Sequence, residues 1–194
     1  MDDRVAAAFA ATPRAGFLRR RNRHRAAHDG PLPIGLGQTN SQPRTVAAML
    51  RLLDVREGNR VLDVGAGSGW STALLAHLVG PGGRVVGVEL EPDLAAFGAA
   101  NLRRAGRPWA AIAPAEPGVL GAPSAAPFDR ILVSADAASV PPSLVAQLAH
   151  GGVMVIPVAG RLTRLTAGGA TADHGPYVFV PLRARPGARE RHAG

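Results

Sequence analysis

The chain has 194 residues, enough for one domain with a sizeable core, and 46% apolar against 19% charged residues exclude wholesale disorder. It holds no cysteine, which excludes disulfide scaffolds, cysteine-ligated zinc or iron–sulfur sites and thiol nucleophiles. Net charge is +8 and every one of the 22 basic residues is arginine, a balance that suits an anionic partner but also fits a bias of the coding sequence toward Arg, Ala and Gly.

Asp2 to Ala11 reads as a short helix that ends before Pro13. Residues 18–30 are polar and rich in arginine, and Gly30 to Gly37 is so studded with Gly and Pro that irregular backbone is expected there. A helix opens at Ser41-Gln-Pro43, with Ser41 or Gln42 at the cap and Val46, Met49, Leu50 and Leu53 on one face. Strands follow at Arg60–Val64, Arg84–Val88, Phe128–Ser134 and Val153–Pro157, and helices at Thr72–Leu78, Asp93–Arg104 and Pro142–Leu148. This alternation predicts an α/β fold, doubly wound around a mostly parallel sheet. Leu162 to Leu182 reads as a terminal antiparallel hairpin turning at Gly168-Gly169, with Val178–Val180 as its return strand. No apolar run approaches the ~18 residues of a membrane span. The acidic start at Asp2 and Asp3 is no secretion leader, so a cytoplasmic location is expected.

The most informative segment is Val61-Leu-Asp-Val-Gly-Ala-Gly-Ser-Gly69, a strand running through Gly65, Gly67 and Gly69 into a helix. Such a turn brings backbone close to a ligand at the carboxyl edge of the sheet. The spacing is G-x-G-x-G, and Trp70 stands where a dinucleotide site would have its third glycine. The turn therefore suits the methionine chain of S-adenosylmethionine better than a pyrophosphate. Glu89, at the end of the next strand, can accept both ribose hydroxyls, and Asp63 can orient the cofactor's ammonium through the turn or a water molecule. Alone, a glycine turn packs helix on strand as often as it binds a ligand; with Asp63, Glu89 and the alternating pattern, the ligand reading prevails.

Three stretches carry a resemblance to the protein-L-isoaspartate O-methyltransferases: Pro31-Leu-Pro-Ile-Gly-Leu-Gly-Gln-Thr-Asn-Ser-Gln-Pro43, the glycine segment 61–69, and Tyr177-Val-Phe-Val-Pro-Leu182. Pro127-Phe-Asp129, Val140-Pro-Pro142 and Gly151-Gly152 fall between them in the family's order. The resemblance implies a Rossmann-like S-adenosylmethionine methyltransferase occupying 1–183: a cap and substrate loop over 1–45, a cofactor core over 46–160, and a C-terminal hairpin over 161–183. Residues 184–194 would be a frayed tail. It further implies transfer of a methyl group from S-adenosylmethionine to the free carboxyl of isoaspartyl residues in damaged proteins, the ester then collapsing to a succinimide. Ser41 matches the family's active-site serine. Gln38, Thr39 and Asn40 would lie between cofactor and substrate, and Asp63, Gly65, Gly67, Gly69, Glu89 and Leu90 match cofactor contacts.

A carboxylate is already ionised and nucleophilic at pH 7, so this chemistry needs no general base, in keeping with a chain that shows no catalytic dyad. The sequence departs from the family at Pro114–Gly118, where two prolines flank Glu116, the best match for the aspartate that meets adenine. It departs again at Asn40, where a hydrophobic residue is usual, and at Asp136, which is read mainly as a surface-loop residue. Asn40 either adds a hydrogen bond to cofactor or substrate or fills space. His24, His28, His77, His150, His174 and His192 show no ligand spacing, and no metal is expected.

The arginines at 19, 20, 21, 23 and 25 contain no interleaved aromatic, so they read as solvated surface and no nucleic-acid partner is expected. The absence of heptads or a long apolar edge favours a monomer. Three other readings stand beside the repair enzyme: an aspartate O-methyltransferase serving a dedicated ribosomal peptide, a nucleic-acid methyltransferase, and a non-catalytic cofactor-binding homologue.

Overall fold

The computed structural model describes residues 4–184. The chain opens with helix α1 (Arg4–Ala11) and two 3-10 segments, Arg14–Phe17 and Arg20–Arg25. The stretch expected to be irregular instead forms a two-stranded antiparallel hairpin of β1 (Leu32–Gly35) and β2 (Gln38–Asn40). Its two-residue turn, Leu36-Gly37, has positive φ at both positions (53° and 70°), the twist that lets a tight turn join antiparallel strands. The outer carbonyls of β1 take side-chain donors: Arg19 Nε to Ile34 O (2.9 Å) and Asn22 Nδ2 to Pro33 O (2.8 Å). Prolines at 31 and 33 are tolerated because this hairpin is all edge.

Helix α2 (Pro43–Leu53) buries the predicted face of Val46, Met49, Leu50 and Leu53. β3 (Arg60–Val64), α3 (Trp70–Val79), β4 (Arg84–Glu89), α4 (Pro92–Arg104), β5 (Ala110–Pro114), β6 (Phe128–Val133), the four-residue α5 (Pro142–Val145) and β7 (Leu148–Val158) follow. β5 carried no clear signal because an alanine-rich edge strand shows neither period nor bulk. The helix expected to reach Leu148 stops at Val145. There Gln147, 3% exposed, turns its amide onto Leu120 O, Ser143 O and the Ala122 N–H, and Leu148 pairs opposite Phe128.

The strand order is β5-β4-β3-β6-β7, all parallel, extended antiparallel by β8 (Arg161–Thr166) and β9 (Thr171–Pro176). The terminal hairpin and its Gly168-Gly169 turn are thus as expected, but its return strand is Thr171–Pro176. Val178–Val180 leaves the sheet, and Pro181 pairs with Asp136 instead. Beyond residue 184 the expected tail lies outside the described residues.

Alternation along the strands sorts the core onto the sheet's two faces. Val61, Leu132, Val153 and Val155 join a cluster with α1 to α4, whereas Leu62, Ile131, Met154 and Ile156 join one with Leu144 and the segments around Leu120 and Val140. A third cluster, Leu18, Leu32, Ile34 and Leu94 with Phe97, seats the small hairpin on α4. Among the described residues no helix is long and apolar enough to cross a membrane.

Candidate active site

From β3 the chain moves outward through β4 to β5, and from β6 it moves the other way to β7, so the direction of winding reverses between β3 and β6. Parallel sheets bind ligands beyond the carboxyl ends of their strands at such a reversal. A cleft of ≈ 1330 Å³ lies there, with the ends of β3, β4 and β6 contributing Val64–Ser68, Glu89–Glu91 and Ser134–Ala135. The hairpin loop Gln38–Ser41 and the C-terminal segment 177–183 line it as well.

Of the three glycines in the turn, Gly65 and Gly67 line the cleft. Gly67 has φ of 54°, and a Cβ there would stand 3.3 Å from Ile34 Cδ1, so the hairpin rests directly on the turn. Gly69 serves another purpose: it does not line the cleft, and a Cβ on it would meet Gly98 O at 2.8 Å and Ile112 Cδ1 at 3.0 Å. It is glycine so that α3 can start against α4.

Glu89 is 6% exposed, yet it lines the cleft. Its Oε2 accepts the Gly67 N–H (2.8 Å) and its Oε1 the Glu91 N–H (3.1 Å), which fixes the carboxylate while each oxygen keeps further acceptor capacity. Asp63 lies beneath, fully buried, with Oδ2 accepting from Ser71 Oγ and Thr72 Oγ1 (both 2.7 Å). Its Oδ1 is buried without a hydrogen-bond partner. Burial pushes the Asp63 carboxyl up to about 6; the two hydroxyls oppose the rise and the Glu89 charge adds to it. An anchored carboxylate at the end of β4 and an orphaned acceptor behind the turn together fit a cofactor carrying a ribose diol and a cationic methionine chain.

The residues Gln38, Thr39, Asn40 and Ser41 all line the cleft. Their position depends on a residue that sequence reasoning missed. Arg14, 6% exposed, sends Nε to Asn40 Oδ1 (2.6 Å), Nη1 to His28 O (2.8 Å), and Nη2 to Gly30 O (2.9 Å), Asn40 O (3.0 Å) and Ser41 O (2.9 Å). Its guanidinium also stands 5.4 Å from the centre of the Trp70 ring. Burial lowers its pKa to about 10, which leaves it charged at neutral pH. Asn40 completes the tie by donating Nδ2 to Ser68 Oγ (3.0 Å), so the loop is fastened to the glycine turn across the cleft. Both ends of the Asn40 amide are thus engaged by protein. The residue at the start of α2 is Gln42, not Ser41, so the Ser41 hydroxyl is not spent on capping.

Besides Gly69, and Asp63, which is buried beneath the turn and does not line the cleft, two more sequence-derived candidates fall elsewhere. Glu116 is exposed and outside the cleft lining, where its neighbours Ala115, Val119, Leu120 and Gly121 stand instead. Asp136 holds the C-terminal segment: its Oδ1 accepts the Gly160 N–H (3.0 Å), its N–H donates to Val180 O (2.8 Å), and its carbonyl accepts the Leu182 N–H (2.7 Å). It is a structural tie and does not line the cleft.

Comparison with known proteins settles the lineage. The family model for protein-L-isoaspartate (D-aspartate) O-methyltransferases matches residues 1–175. The chain belongs to this family. Among its relatives, the Methanopyrus kandleri protein-L-isoaspartate O-methyltransferase is 46% identical over 196 residues, covering 97% of this chain and 87% of the relative. The Anaeromyxobacter dehalogenans enzyme is 47% identical over 206 residues, covering 96% and 92%. A Plasmodium falciparum chain assigned to the same activity, solved in complex with S-adenosyl-L-homocysteine, superposes with a TM-score of 0.79 at 26% identity, covering 94% of this chain and 91% of that one.

Proposed function

We propose that this protein transfers the methyl group of S-adenosylmethionine to the free carboxyl of isoaspartyl residues in peptides and proteins. The observation that carries this reading is the Gln38–Ser41 loop, held by Arg14 and tied to the glycine turn by the Asn40–Ser68 bond, which places the serine and the cofactor-type carboxylate, Glu89, in one cleft. When bound, the cofactor supplies an electrophilic methyl on a sulfonium. Glu89 would hold the ribose hydroxyls, and the turn Gly65–Gly67 would lie against the methionine chain with the buried Asp63 carboxyl behind it. Leu90, Ala115 and Leu120 would flank the adenine.

The substrate carboxylate needs no deprotonation, so the protein's task is alignment and the exclusion of water. The Ser41 hydroxyl would donate to one carboxylate oxygen, hold the group in place and leave the other oxygen free as the nucleophile. Tyr177–Arg183 adds to the lining of the same cleft. The protein works as a monomer on peptide substrates, with neither nucleic acid nor membrane as partner.

The test is methyl transfer from labelled S-adenosylmethionine to paired peptides carrying isoaspartate or aspartate at one position. Transfer to the isoaspartyl peptide alone is expected. In Ser41→Ala it should fall by about 10- to 100-fold with unchanged thermal stability, because the hydroxyl aligns substrate and caps nothing. Equal transfer to both peptides, or none with cofactor binding intact, refutes the assignment.

A further inference from the structure

A second, shallower groove of ≈ 450 Å³ adjoins the cleft, lined by the consecutive arginines Arg19–Arg21, the hairpin residues Ile34–Leu36 and Asp93. Ile34 and Leu36 also line the cleft, so the two depressions are continuous across the hairpin. Arg19 forms the fixed part of the groove. Its Nε binds Ile34 O, and its guanidinium stands 3.9 Å from the centre of the Phe97 ring.

Arg20, Arg21, Arg23 and Arg25 are exposed, and the segment 19–25 contains no acidic residue. Among the described residues Arg20 and Arg21 make no ion pair, whereas Arg44, Arg56 and Arg161 each have one. Leu36, at the boundary, is 56% exposed and held at a φ of 53°, a left-handed conformation that non-glycine residues rarely adopt. An exposed apolar side chain in a strained turn, between a methyl-transfer cleft and an unpaired cationic groove, has the layout of a peptide path.

We propose that this groove docks acidic residues flanking the reacting residue, so that the enzyme favours isoaspartyl peptides carrying Asp or Glu beside it. Guanidinium forks engage carboxylates in bidentate pairs, and Leu36 lies against the peptide between the two sites. The lining residues include no aromatic, which disfavours stacking of nucleic-acid bases. Asp93 is the one acidic group in the lining and works against an acidic segment. The proposal therefore carries a sign test: removing that charge must strengthen the preference, and reversing an arginine must abolish it. It rests on the peptide-methylation reading above and sharpens its substrate class.

The experiment compares kcat/KM for isoaspartyl peptides that are neutral, Glu-flanked or Lys-flanked on either side of the reacting residue, at low and at high salt. Binding of the same labelled peptides is followed by fluorescence anisotropy. On one flank, Glu should exceed Lys by about fivefold or more at low salt, with the gap closing as ions screen the exposed charges. The double variant R20E/R21E should erase or invert that ratio while retaining the rate on the neutral peptide, and Asp93→Asn should widen it. Equal values for Glu and Lys peptides on both flanks, or a preference that survives R20E/R21E, overturns the proposal. So does a single-stranded oligonucleotide that displaces the Glu peptide at far lower concentration than unlabelled Glu peptide does. If no peptide is methylated, the methylation reading fails and anisotropy alone still decides the groove.

Discussion

Replacing Arg14 by methionine keeps an unbranched aliphatic stem but removes every donor of the guanidinium and its contact with the Trp70 ring. Three buried acceptors, Asn40 Oδ1, Asn40 O and Gly30 O, then lose that partner, and two partly buried ones, His28 O and Ser41 O, turn to water. An orphaned buried acceptor costs about 1–3 kcal/mol, so the three would sum to roughly 3–9 kcal/mol if nothing moved. Relief of the guanidinium's own desolvation and some entry of water bring the expected loss to the low end, about 3–4 kcal/mol. For a chain of this size that lowers Tm by about 6–16 °C. Activity should suffer beyond stability. With Ser41 no longer held, kcat/KM for the isoaspartyl peptide should drop about 100-fold at a temperature where the variant is folded. Cofactor affinity should change little, because Glu89 is fixed by the Gly67 and Glu91 amides and not by Arg14. Arg14→Lys, with three donors on a flexible stem, should recover part of the stability but little of the alignment. Guanidinium-chloride unfolding, calorimetry of cofactor binding and steady-state transfer test the three limbs. A destabilisation under about 1 kcal/mol with transfer intact would refute the claim that Arg14 holds the loop.

Other residues give equally direct tests. Glu89→Gln keeps an acceptor for the Gly67 amide but loses the charge that receives a ribose diol, so Kd for S-adenosylmethionine should rise about 10- to 100-fold by calorimetry; an unchanged value would detach Glu89 from the cofactor. Asp63 has a folded pKa of about 6, above its ordinary 3.8, so its protonated form favours the native state: the contribution is full below pH 4 and is lost as pH rises through 6. The stability of wild type relative to Asp63→Asn should therefore fall by up to about 3 kcal/mol from pH 4 to pH 7 in cofactor-free protein, and a difference rising over that range would be the wrong sign. Gly69→Ala and Gly118→Ala both force a side chain to positive φ, but only the first meets backbone, Gly98 O at 2.8 Å. Denaturant unfolding should find Gly118→Ala costing about 1 kcal/mol and Gly69→Ala at least twice that, with equal costs arguing that the contact does not govern the position.

Much of the sheet was legible because its signals are local. Apolar runs at 60–64, 84–89 and 128–133 sit between glycine or proline punctuation, and the glycine turn with Glu89 one strand on marks the carboxyl edge. The Gln38–Ser41 loop was legible through resemblance alone, since Gly and Pro there masked a tight hairpin whose turn needs positive φ at Leu36. Glu116 illustrates the opposite case. The resemblance made it the best match for the adenine partner, yet its side chain is exposed and outside the cleft lining.

Sequence by itself determined the α/β class, because its strand and helix signals lie in neighbours within a few residues, and its composition excluded thiol chemistry. Tertiary structure singled out Arg14 among the 22 arginines as the one that holds the loop. Arg14 finds its acceptors 14 to 27 residues away, and nothing in its surroundings distinguishes it from a solvated arginine until the chain closes around it. The same holds for the Asn40–Ser68 bond and for the tie from Asp136 to 180–182. A buried polar group is defined by the partners that satisfy it, and those partners are brought together only by the fold.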